Sequence, residues 1–152
     1  MKLQSALVIG EVKKFIDQGQ PVILPVDGQS MRPFITGGRE KVEFVPLPAS
    51  SGLDTGLQPG DVVMAKVQEG YPVVHRVVQI DGNRLVLEGD GNLGFKEHCL
   101  MEDVVAQGIN IVDATGRKRS LTSPEARRRW RLWMRLKPLR RVLLKALRLI
   151  GK

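Results

Sequence analysis

The chain has 152 residues, with one cysteine and two histidines, so it has no internal disulfide and little material for a histidine-rich metal site. No run approaches the ~20 apolar residues that a spanning helix needs. The net charge of +8 is divided: residues 1–116 hold ten Lys and Arg against fifteen Asp and Glu, and residues 117–152 hold fourteen against Glu125 alone, which predicts an anionic partner for the tail, a membrane surface or a nucleic acid.

Leu3, Leu7, Ile9, Lys14 and Phe15 recur with helical spacing, and Gln18-Gly19-Gln20-Pro21 ends the segment, predicting a covering helix over about 3–18. The apolar piece Leu3–Ile9 is short for a signal peptide and has no small-residue cleavage pattern, so the expected location is cytoplasmic. Residues 21–26 read as a strand that runs into Asp27-Gly28-Gln29-Ser30-Met31-Arg32-Pro33-Phe34, a turn between apolar segments holding a single hydroxyl. A second strand is expected over 40–45, then an irregular Pro- and Gly-rich loop from Pro46 to Gly56.

Gln58-Pro59-Gly60-Asp61 is a turn that leads into a strand over 62–67, and Gly70 turns the chain into Tyr71–Ile80. Asp81-Gly82-Asn83 is a hairpin signal, Arg84–Glu88 returns, Gly89-Asp90-Gly91-Asn92 turns again, and 103–112 closes the set. Closely spaced strands with little helix predict a mainly β, compact, partly closed antiparallel fold over residues 1–116. Ser123, Pro124 and Glu125 mark a helix start in the basic tail of 117–152, interrupted at Pro138. Trp130, Trp133 and Met134 mark the apolar side of its first half. Leu139, Leu143, Ala146, Leu147 and Ile150 share a face of the second half, and Arg141, Lys145, Arg148 and Lys152 share another.

Ser30 needs a base to take its proton. His75 lies in the β-branched run Val73-Val74-His75-Arg76-Val77-Val78, where alternation places it with Val73 and Val77 and opposite Val74 and Arg76. A histidine there reads equally as a satisfied core imidazole. The serine turn, Gly60-Asp61 and Gly89-Asp90-Gly91-Asn92 supply the polar surroundings that a nucleophile, a base and an orienting carboxylate require.

Gly28-Gln29-Ser30-Met31-Arg32-Pro33, Gly60-Asp61-Val62-Val63, Val74-His75-Arg76-Val77-Val78 and Gly89-Asp90-Gly91-Asn92, in that order over roughly residues 20–110, resemble the boxes of the signal peptidase I / LexA-like serine peptidase superfamily. Histidine followed by arginine, where bacterial signal peptidases and LexA-type autoproteases carry lysine, is similar to the Ser-His branch of endoplasmic-reticulum and archaeal type.

The resemblance implies a LexA/signal-peptidase-like fold and acyl-transfer proteolysis of an extended peptide such as a leader or precursor segment. Ser30 is the implied nucleophile and His75 the implied base, and the backbone of Gln29, Ser30 and Met31 is the implied oxyanion site. It calls for no cofactor and no metal. The acidic third member falls first to Asp90, inside the glycine-rich box, and second to Glu97 in Lys96-Glu97-His98-Cys99. Asp61 reads as a turn-closing carboxylate. Lys66 precedes the strand on which the superfamily carries its base, and His98-Cys99 is too small a pair for a closed metal site.

No run of these residues matches the spanning N-terminal helix of signal peptidases, and the expected substitute is residues 124–152 lying in plane on the anionic inner face of the plasma membrane. Folding back on the domain is its rival. A LexA-type nucleic-acid-associated regulator is the second functional reading, supported by the basic tail. Residues 1–20 leave room for one helix rather than a helix-turn-helix, and no Ala-Gly-like cleavage dipeptide precedes Ser30. An inactive peptide-binding β-fold is the third.

Overall fold

The computed structural model describes residues 6–47, 56–67, 72–136 and 139–150, with side chains from Ile9 onward. Residues 48–55 of the predicted loop, the turn at Gly70 with Tyr71, the break at Pro138 and the helical positions of Leu3 and Lys152 lie outside the described residues. Helix α1 spans Ala6–Asp17. Its buried stripe is Ile9, Val12 and Ile16, three and four residues apart, while Phe15 from the predicted stripe is about half exposed. Burying such aliphatic side chains contributes about 1.5–3 kcal/mol each, which fixes α1 against the sheet.

Eight antiparallel strands follow: β1 (Val22–Pro25), β2 (Lys41–Val45), β3 (Val62–Lys66), β4 (Pro72–Asp81), β5 (Arg84–Glu88), β6 (Lys96–Leu100), β7 (Val104–Val112) and β8 (Lys118–Ser120). They form one sheet in the order β1-β2-β7-β3-β4-β5-β6. β8 extends the edge of β7 beyond β3: β3 pairs with Val104–Gly108 and β8 with Asn110–Val112. The fold is mainly β, as expected.

Strand alternation divides the interior into two cores. One joins Ile9, Val12 and Ile16 to Met31, Ile35, Phe44, Val62, Met64 and Val74. The other holds Val63, Ala65, Val73, Val77, Leu85, Leu87 and Cys99. Consecutive residues of β3 and β4 therefore feed opposite cores, and His75 and Arg76 inherit opposite faces from their neighbours.

The basic tail folds back on this sheet. Ser123 Oγ accepts the Ala126 N–H at 3.1 Å and Pro124 opens helix α2 (Pro124–Arg135), as its sequence predicts. Trp130 and Trp133, which mark the apolar side of the tail's first half, are buried against the domain. Trp133 Nε1 donates to the Asp90 carbonyl at 2.8 Å, and its ring meets Phe34 edge-on at 6.3 Å between centroids. The tryptophans dock α2 because both bury their apolar area there, and the N–H of Trp133 finds an acceptor. Helix α3 (Arg140–Ile150) continues the tail, with Leu144 buried and Val142, Leu149 and Ile150 exposed. Among the described residues no helix is long and apolar enough to cross a membrane.

Candidate active site

β1 delivers the serine turn, and the residues around Ser30 pin it. Met31 and Ile35 are fully buried in the first core. The Arg32 N–H donates to the Gln29 carbonyl at 3.2 Å, and the N–H groups of Phe34 and Ile35 donate to the Met31 carbonyl at 3.1 and 3.0 Å. From the other side, the Gly91 N–H donates to the Ser30 carbonyl at 2.7 Å. That approach requires glycine: a Cβ on Gly89 would lie 2.4 Å from the Ser30 carbonyl oxygen, and one on Gly91 2.8 Å from that of Arg32. The Gly-Asp-Gly-Asn box is thus the clasp of the serine turn.

His75, buried in the middle of β4, brings Nε2 to 3.1 Å from Ser30 Oγ. Its other ring nitrogen, Nδ1, faces Glu97 Oε1 in direct contact. The register explains why. Val77 of β4 pairs with Leu87 of β5, and Leu87 with Glu97 of β6, so Glu97 shares the face of the sheet that carries His75.

Asp90, ranked first from the sequence as the acid beside His75, is committed elsewhere. Arg76 donates to it twice, Nε to Oδ1 at 3.2 Å and Nη2 to Oδ2 at 2.5 Å, and sends Nη1 to the Gly60 carbonyl at 3.0 Å. The guanidinium also lies over the rings of Phe34 and Trp130, 5.3 and 5.9 Å from their centroids. Alternation sends Arg76, and with it Asp90, to the face opposite His75. Glu97 is the carboxylate on the histidine face, reversing the order expected from the motif. The missed signal was strand β6: once Lys96–Leu100 is read as the return strand after the glycine-rich turn, its pairing with β5 aligns Glu97 with Val77.

The other candidates fall outside the constellation. Asp61 closes its turn by accepting the Gln58 N–H at 2.9 Å, and also pairs with Arg127 at 2.8 Å. Lys66 is exposed at the end of β3. His98 and Cys99 line a different cleft, of about 590 Å³, between β4, β5 and β6. Burial pushes the Cys99 thiol up to about 11, helped by the nearby Asp103 and Glu97 charges, so it stays protonated at neutral pH.

Ser30, His75 and Glu97 open into a cleft of about 410 Å³ whose other walls are Asp27, Gly28, Gln29, Val73 and Asn92. Hydroxyl, imidazole and carboxylate in that order can move a proton off the hydroxyl and hold the resulting imidazolium. Comparison of the chain with protein-family models, curated proteins and solved structures finds no match.

Proposed function

We propose that this protein is a serine endopeptidase of signal-peptidase-like type, cleaving an extended peptide such as a leader or precursor segment. The observation that carries the proposal is the contact chain Ser30 Oγ to His75 Nε2 at 3.1 Å, with Glu97 on Nδ1. Ser30 Oγ attacks the scissile carbonyl carbon while His75 Nε2 takes its proton, and Glu97 offsets the imidazolium charge. N–H groups of the Gln29-Ser30-Met31 turn stabilise the oxyanion. Collapse breaks the C–N bond as His75 returns the proton to the leaving amine. Water, deprotonated by the same imidazole, then hydrolyses the acyl-Ser30 ester.

The turn is rigidly clasped, which suits a nucleophile that must be held in an attacking position. The experiment is labelling with a fluorophosphonate probe. The wild-type chain labels, and Ser30→Ala and His75→Ala do not. Undiminished labelling of Ser30→Ala, or none in the wild type with a panel of fluorophosphonates of different size, overturns the proposal.

A further inference from the structure

A second cleft, of about 480 Å³, lies between α3 and the loop that clasps the serine turn. Arg141, Lys145 and Arg148, four and three residues apart, present their cations to it from one face of α3. Leu144 and Leu93 give it an apolar lining, and Asn92 lines both this cleft and the catalytic one. The two clefts therefore adjoin across a single turn, whose Gly91 N–H is bonded to the Ser30 carbonyl.

Arg140, at the start of α3, pairs with Glu88, and elsewhere in the molecule Arg76, Lys118, Arg119 and Arg127 each pair with a carboxylate. None of the ion pairs among the described residues engages Arg141, Lys145 or Arg148, and no acidic side chain lines their cleft. By contrast, Asp27 and Glu97 line the catalytic cleft.

We infer that the α3 cleft is an exosite for an acidic segment of the substrate polypeptide. This deepens the peptidase reading and rests on it for the word substrate. A chain lying across Ser30 continues past Asn92 into the cationic cleft, where its carboxylates meet the three unpaired cations. The carboxylates of the catalytic cleft repel the same segment, so it fixes the direction in which the peptide lies. The site is concave and partly apolar, which suits an extended polypeptide better than a bilayer surface or a phosphodiester backbone.

The test uses the full chain carrying Ser30→Ala, so that bound peptide persists, and fluorescence anisotropy of a fluorescein-labelled alanine-based peptide ending in a run of glutamates. Its control has glutamine at the same positions. The glutamate peptide binds about tenfold more tightly at low salt, and the preference fades as salt rises. Combined Arg141→Gln, Lys145→Gln and Arg148→Gln abolish the preference, and Lys145→Gln alone reduces it, with Tm kept because all three side chains are exposed. Equal binding of the two peptides, a preference that survives neutralisation, or binding only to anionic phospholipid vesicles or duplex DNA overturns the inference. A glutamate preference in a chain whose wild type resists every fluorophosphonate leaves the acidic-peptide site standing and removes the peptidase reading.

Discussion

Asp90 and Glu97 belong to the same turn-and-strand segment, yet they serve opposite faces of β4 through two adjacent residues, Arg76 and His75. Their substitutions should therefore separate activity from stability. Glu97→Gln keeps the shape of the side chain and removes the charge beside His75 Nδ1. Under the proposed mechanism it lowers kcat by about 10²- to 10⁴-fold with little change in Tm. Asp90→Asn leaves the buried Arg76 guanidinium without its counter-charge and costs about 3 kcal/mol in denaturant unfolding. Loss of activity in Asp90→Asn at unchanged stability, with Glu97→Gln fully active, would return the third position to Asp90. Ser30 and His75 were legible because each stands in a short motif with its own turn or strand signal. The carboxylate was not, because a motif reports neighbours along the chain, whereas the acid is chosen by register across two hairpins.

Helix α2 shows what a local signal fixes and what it leaves open. Ser123, Pro124 and Glu125 mark its start in the sequence, and the side-chain cap is made. Where its tryptophans point depends on Phe34, Arg76 and the Asp90 carbonyl, all distant in sequence, and amphipathicity alone suits lipid as well as a sheet. The short strands β6 and β8 were illegible for a related reason. Lys118–Ser120 is exposed throughout and has no apolar residue to alternate, and Lys96–Leu100 buries only Cys99. Pairing to β7 and β5, rather than intrinsic preference, makes them strands. Docking of α2 is measurable by denaturant unfolding. Trp133→Phe retains most of the ring packing but leaves the Asp90 carbonyl unpaired, costing about 1–2 kcal/mol. Trp133→Ala also loses the packing and costs about 3–5 kcal/mol. Negligible effects from both would mean that α2 does not hold the clasp of the serine turn.

Across the whole molecule, the division into an acidic domain and a basic tail is in part an internal complement. Lys118 pairs with Glu43, Arg119 with Glu40, Arg127 with Asp61 and Arg140 with Glu88, so four tail cations meet four carboxylates of the domain. Composition reveals the asymmetry but not that the chain itself answers part of it. One of these carboxylates, Glu43, makes stability depend on acid. The hydrogen bond from Asn110 holds the Glu43 carboxyl below its usual range, with Lys118 adding to it through a second bond and its charge, against the opposing effect of burial. A carboxyl with a lowered folded-state pKa stabilises the protein at pH above its unfolded value, near 4.5, and that stabilisation is lost as pH falls through the folded value. Tm should therefore hold from neutral pH down to about 5 and fall progressively below about 4.5. Glu43→Gln, which cannot ionise, should start from a lower Tm at neutral pH and lose less of it on acidification. An acid slope identical in the two proteins would mean that Glu43 does not carry the loss. A Tm unchanged down to about pH 3 would mean that the tail is held by Trp130, Trp133 and Leu144 alone.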